Sequence, residues 1–299
     1  MNVSRILISI FYVFVWLLAW LPLGILYILS DFLFVIIYYI VRYRRKITHK
    51  NLQNSFPEKS EKEILRIERR FYLHFCDYIV ETIKLLHISD KTIRKRFKFK
   101  NIHILDEYYK KNQNIILYLG HYGNWEWTIF AKAAQPNHHH KYKAYSVYHP
   151  LNNKSFDQFM LNLRSKSGSI LVPQKKVLRT MLETQQNNTP GFFCFIADQR
   201  PNRNADTFWM NWLNQDTQPI VGTERLAQKT NYPVVYLDIQ KIKRGYYIGE
   251  FVVMTENPRE LPEFELTKQY MHLMEKTILH NPAYWLWTHK RWKRKPKVD

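Results

Sequence analysis

The chain of 299 residues is 46% hydrophobic and 16% aromatic, which supplies one substantial core and excludes a disordered or low-complexity protein. A formal net charge of +20 makes the folded surface repel itself unless part of it faces something anionic, so nucleic acid and acidic lipid are the two candidate partners. Cys76 and Cys194 sit in apolar contexts without CxxC or metal-ligand spacing, which reads as buried thiols in a reducing compartment.

From Ile6 to Val41 only Asp31 is formally charged. A continuous helix over this run would be about 54 Å long, well beyond a hydrocarbon core of roughly 30 Å. It must therefore break or tilt. Pro22 and Gly24 offer one break and Ser30-Asp31 another, giving either one span followed by an interfacial helix or a tight helical hairpin. The run is too long for a cleaved signal peptide and no small-x-small site follows it, so a retained anchor is expected. Arg42-Tyr43-Arg44-Arg45-Lys46 comes next, a basic collar suited to the cytoplasmic side and to anionic headgroups. Residues 1–46 thus read as anchor and collar, and residues 47–299 as a catalytic domain on the inner face of the membrane.

Ser60-Glu61-Lys62-Glu63 has capping-box spacing and opens a helical pattern through Phe71, Phe75, Ile79, Ile83 and Leu86. The stretch Lys91 to Lys100 alternates cations with apolar residues, as suits a solvated helix-to-strand passage or a membrane-facing surface. Asn114 to Leu119 reads as a buried strand, Gly120 as a sharp turn and Asn124 as a helix cap. Beyond it, strands at Tyr142–Tyr148, Ser169–Val172, Phe192–Ile196, Val234–Gln240 and Tyr246–Met254 are separated by helices at Asn152–Lys166, from Lys175, at Thr223–Thr230 and at Thr267–Leu279. That alternation predicts an α/β fold, a mixed central sheet covered by helices on both faces.

His121-Tyr122-Gly123-Asn124-Trp125-Glu126 lies where the first strand ends. A carboxylate in the first helical turn can fold back on an imidazole in the preceding turn and fix its tautomer. The imidazole can then take a proton from an alcohol attacking an acyl carbonyl. The chemistry suggested is acyl transfer. The carboxyl end of Phe192–Ile196 carries Asp198, where open α/β sheets gather ligands, although an isolated aspartate there also serves as a turn cap. Arg164 alone reads as a solvated helical cation, and His138-His139-His140 as an exposed loop.

The set Gly120-His121-x4-Glu126, Tyr148-His149-Pro150-Leu151-Asn152-Asn153, Arg164 to Gly168, Val172-Pro173, Ala197-Asp198-Gln199, Gly222-Thr223 and Pro282-x-Tyr284-x-Leu286-Trp287-x-His289-x-Arg291-Trp292-Lys293 resembles the late acyltransferases of lipid A biosynthesis. These are lauroyl and myristoyl transferases within the lysophospholipid acyltransferase superfamily. The resemblance implies a glycerol-3-phosphate acyltransferase-like sheet in a bacterial inner-membrane enzyme. It also implies an acyl carrier protein thioester as donor, a membrane lipid hydroxyl as acceptor, and no metal or organic cofactor. By the same resemblance His121 is the general base and Glu126 its partner. Arg164, Asp198, Asn124 and Arg291 then belong to the substrate site, Arg164 on acceptor phosphate or the acyl oxygen. The sequence at Pro219 to Glu224 departs from the family's threonine-rich pattern, which leaves the acceptor open between a lipid A precursor and another hydroxylated lipid such as an aminolipid. Two other readings stand beside it: a basic nucleic-acid-binding membrane protein, and a hydrolase of the same superfamily that uses water in place of the alcohol.

Overall fold

In a computed structural model, residues 3–130, 142–150, 153–166, 168–201 and 208–296 are described. The tract His138-His139-His140 lies outside them. The apolar run forms α1 (Val3–Trp20) and α2 (Leu23–Phe34), which continues through a π-helical turn, Val35–Ile40. The break falls at Leu21-Pro22, because proline lacks the N–H needed mid-helix yet suits a helix start. Ser30-Asp31 does not break the helix. Ser30 Oγ donates to Asp77 Oδ1 (2.9 Å) and Asp31 pairs with Arg244 (2.7 Å), so both polar side chains are satisfied without unwinding backbone. Leu23–Ile40 is the one helical stretch among the described residues with the length and composition to cross a bilayer.

The long helix α4 (Glu61–Lys84) follows α3 (Arg45–Ser55) and packs along α2. Its start carries the expected capping box, Ser60 accepting from the Glu63 N–H while Glu63 accepts from the Ser60 N–H. α5 (Asp90–Arg96) leads straight into β1 (Phe97–Lys100), the helix-to-strand passage expected there, and α6 (His103–Lys110) precedes β2 (Ile115–Leu119).

Beyond β2 the chain lays down β3 (Lys143–Tyr148), α7 (Lys154–Ser165), β4 (Ile170–Pro173), α8 (Val177–Gln186) and β5 (Gly191–Ile196). It continues with a small hairpin, β6 (Met210–Trp212) and β7 (Gln215–Thr217), then α9 (Gly222–Thr230), β8 (Val234–Lys243), β9 (Tyr246–Thr255) and α10 (Glu265–His280). Seven strands form one sheet in the order β1-β9-β8-β2-β5-β3-β4. Only β8 and β9 pair antiparallel, so the sheet is mixed, as the alternation of elements requires. β2 is buried at every position, as the near-continuous apolar composition of a central parallel strand demands.

Candidate active site

The site forms where β2 and β5 end side by side. These strands are parallel neighbours in a register that pairs Leu119 with Ile196, so the residues two beyond each, His121 and Asp198, emerge at the same edge. His121 Nδ1 lies 2.7 Å from Asp198 Oδ1, and the His121 backbone N–H donates to Oδ2 (3.0 Å). The Trp285 indole N–H donates to that same oxygen (2.7 Å). Burial alone would raise the Asp198 carboxyl, but the imidazole and the other two donors hold it below the usual carboxylate range. A carboxylate on Nδ1 fixes the proton there and leaves the Nε2 lone pair outward. The Gln199 amide nitrogen lies 3.2 Å from Nε2, at the place where a substrate hydroxyl would come.

The partnership expected of His121 and Glu126 is therefore not the one present. Glu126 lies in the first turn of a short 3-10 helix, Trp125–Phe130, but both of its oxygens are held by Arg164 of α7, at 2.9 Å to Nε and 2.5 Å to Nη2. A guanidinium fork matches a buried carboxylate at two points, which outcompetes one contact to an imidazole already taken by Asp198. Arg164 is thus no solvated cation but the anchor of the turn that begins at His121. Asn124 caps that turn as expected, accepting from the Trp127 N–H (3.1 Å). Its amide also donates to the fully buried Glu81 of α4 (2.6 Å), a role the sequence did not show.

Gly120 has a different purpose from the one inferred. Its φ is not positive; a Cβ there would collide with the Met274 thioether of α10. The positive φ of the turn falls at Gly123 (59°). The carboxyl-terminal block closes the back of the site. Leu286 N–H donates to the His121 carbonyl (3.1 Å) and Gly123 N–H to the Tyr284 carbonyl (2.9 Å), an extra strand-like clasp around the histidine turn. Arg291 sits beyond the clasp, 2% exposed, with one amino group donating to the Gln218 carbonyl (2.8 Å).

The His121 ring meets the edge of Trp125 at 5.2 Å, and Trp125 lines an apolar cleft with Phe75, Tyr78, Tyr284 and Leu286. Trp285, which holds Asp198, lines the same cleft, so the dyad sits at its wall. Neither thiol competes as a nucleophile, since burial pushes Cys76 and Cys194 up to about 12. Trp285 and Glu81 carry no spacing signal of their own, and Gln199, though part of the Ala197-Asp198-Gln199 stretch, shows no local sign of meeting the imidazole; only the strand register and the return of the carboxyl terminus bring them here.

The family model for bacterial lipid A biosynthesis acyltransferases matches residues 2–294. A lipid A biosynthesis palmitoleoyltransferase of Escherichia coli K12 is 22% identical over 284 residues, covering 94% of this chain and 89% of that protein. A lauroyltransferase of the same organism is 21% identical over 292 residues, covering 94% and 92%. A lipid A biosynthesis acyltransferase of Shigella flexneri is 22% identical over 284 residues. With the match running through the amino-terminal apolar helices, the histidine turn and the carboxyl-terminal clasp alike, this chain belongs to the bacterial lipid A biosynthesis acyltransferase family and is an acyltransferase.

Proposed function

We propose that this acyltransferase moves a fatty acyl group from an acyl carrier protein thioester to a hydroxyl of a lipid A precursor or a similar membrane lipid, at the cytoplasmic face of the bacterial inner membrane. The observation that carries the reading is the His121 imidazole, tied to Asp198 through Nδ1 and placed beside an apolar aromatic cleft. The acceptor hydroxyl displaces the Gln199 amide and gives its proton to Nε2 as its oxygen attacks the thioester carbon. The C–S bond then breaks and the leaving thiolate takes the proton back from the imidazolium. Asp198 stays ionised throughout and stabilises that imidazolium. Glu126 acts one step removed: it orients Arg164, whose positive charge favours the oxyanion that develops at the carbonyl. The apolar cleft along Phe75, Tyr78 and Trp125 suits the start of the acyl chain.

The neutral hydroxyl and the thioester need nothing that a metal would supply. The basic surface serves two acidic partners in this reading, the carrier protein and anionic phospholipid of the inner leaflet, and nucleic acid is not among them.

The test uses purified full-length enzyme in detergent with acyl carrier protein bearing a labelled acyl chain. Wild type transfers the label to lipid. His121→Ala abolishes transfer, and Asp198→Asn, which disturbs the tautomer while keeping the shape, lowers kcat by about 10³–10⁴. Label released as free fatty acid in place of lipid ester, or normal turnover in His121→Ala, refutes the assignment.

A further inference from the structure

We propose that Arg200, Arg291 and Arg294 form a phosphate-binding subsite beside the catalytic histidine, which holds a phosphate group of one of the two substrates. The source of that phosphate rests on the acyl-transfer reading above; the anion site itself does not.

A cleft separate from the apolar one is lined by these three arginines together with Gln218, Trp292 and one carboxylate, the exposed Asp216. Arg291 is the unusual member. It is 2% exposed, yet its Nε has no hydrogen-bond partner, and the Gln218 carbonyl takes one of its amino groups. The Trp212 ring lies 5.9 Å from the guanidinium carbon. Buried guanidinium groups are ordinarily paired with carboxylates that take their fork of donors, and one left unpaired is a strained charge. Burial, with Arg200 adding repulsion, outweighs the attraction of Asp198 and pushes the Arg291 guanidinium down to about 10. Such a charge is relieved by an anion that enters from the cleft.

Position ties the cleft to the reaction. Arg200 follows Gln199, whose amide touches the catalytic Nε2, and its backbone N–H donates to His289 Nε2 (3.3 Å). Burial holds His289 neutral, pushed down to about 4, so it accepts that bond and adds no further positive charge. Arg294 reaches Gln218 Oε1 at 3.2 Å across the cleft. Phosphate fits this set better than carboxylate. It brings more negative charge against three cations and one Asp, and its several oxygens can meet separate guanidinium forks at once. The acyl chain, the thioester and the attacking hydroxyl are all uncharged. A phosphate on the lipid acceptor and the phosphodiester of the carrier's pantetheine arm are the two sources with this chemistry.

Sodium pyrophosphate is the probe, titrated into full-length enzyme in detergent while tryptophan fluorescence and melting temperature are followed; Trp209 and Trp292 line the cleft as reporters. Saturable binding with a rise in melting temperature is expected. Arg200→Gln and Arg294→Gln, both at partly exposed positions, should each weaken it about tenfold, the scale of one lost charge-assisted hydrogen bond. In turnover, pyrophosphate should inhibit competitively against one substrate, and Arg200→Gln should raise KM for that same substrate more than it lowers kcat. Competition with the lipid names the acceptor phosphate, and competition with acyl carrier protein names the pantetheine phosphodiester. No saturable binding, equal affinity in both variants and wild type, or competition with neither substrate overturns the subsite. The binding readout needs no turnover: arginine-dependent binding of pyrophosphate by an enzyme that transfers no acyl group would leave the subsite standing and remove only the reading of the reaction.

Discussion

His74 is buried between two partners that leave it one proton. Its Nε2 lies 3.1 Å from the Gly123 carbonyl and must donate, while its Nδ1 accepts from the Lys241 ammonium at 3.1 Å. Burial first and then Lys241 hold it well below the usual histidine value. Burial also depresses His289, to about 4, and His87. All three hold a proton less readily in the folded enzyme than in the unfolded chain, where a histidine takes it up near pH 6.5. The unfolded state therefore binds more protons as the medium becomes acidic, and stability present above pH 6.5 is lost as pH falls from there toward 4. Glu81 opposes this. Its fully buried carboxyl is raised, chiefly by burial, so it favours the folded state as pH falls, but it is one group against three. Asp198, held low, contributes its loss only below the carboxylate range. Urea denaturation in detergent at pH 7.5, 6 and 5 should show a falling unfolding free energy, approaching about 1.4 kcal/mol per pH unit for each histidine that remains neutral when folded. A flat profile would mean that the imidazoles acquire protons without unfolding.

At the scale of elements, the histidine turn is gripped from several directions: α4 through Glu81 and His74, α7 through Arg164, β5 through Asp198, and the carboxyl-terminal clasp through Tyr284 and Leu286. α10 adds the close approach of Met274 to Gly120. Gly120→Ala should accordingly destabilise the fold by about 1–3 kcal/mol, the usual scale of overpacking, and displace the start of the histidine turn. Met274→Ala opens the space for the new methyl. In a double-mutant cycle followed by chemical denaturation the two changes should be less than additive. Strict additivity would show that Gly120 tolerates a side chain and that its smallness has another cause.

The elements themselves were legible because their signals are local. The Ser60-Glu63 box opens α4, the unbroken apolar run from Ile115 marks β2, and Asn124 caps its turn. The family was legible from the spaced set of residues around His121, Asp198 and Trp287. Partner identity was not legible. His121 and Glu126 are neighbours in sequence, but the register of two strands set 77 residues apart gives the imidazole to Asp198. The short hairpin β6–β7 was also missed, since three-residue strands turning at Leu213-Asn214 carry no alternation to read. Ser30-Asp31 misled for the complementary reason: polar residues in an apolar helix look like a break until distant partners satisfy them.

On the scale of the molecule, the amino-terminal region is not a detachable handle. α2 inserts Tyr27 onto Glu81 (2.8 Å) and Ser30 onto Asp77 (2.9 Å), and Glu81 in turn holds Asn124 of the histidine turn. The basic collar is likewise partly inward: Arg45 pairs with Glu68 (2.9 Å) and Arg44 donates to the Thr288 carbonyl (3.1 Å). α1 is tied more lightly, with Lys84 capping the carbonyls of Ala19 and Leu21. Beside these ties it exposes Phe14, Trp16, Leu17 and Trp20, a face suited to lipid. Two truncations separate these roles. Removing residues 1–20 should leave a cooperatively unfolding enzyme that binds anionic phospholipid vesicles more weakly, because it loses apolar area while Lys84, deprived of the Ala19 carbonyl, keeps that of Leu21. Removing residues 1–41 takes Tyr27 from Glu81 Oε1 and Ser30 from Asp77, which keeps Lys241 and Arg244, and it uncovers the α4 face beneath α2. At about 1–3 kcal/mol for the Glu81 oxygen left unsatisfied, with the lost apolar packing on α4 added to it, the loss is a large fraction of a domain's net stability. The longer truncation should aggregate or unfold without cooperativity in detergent, and any remaining fold should lose transfer activity through Asn124. A fully active enzyme after the cut at residue 41 would show that the amino-terminal apolar helices and the histidine turn are energetically separate.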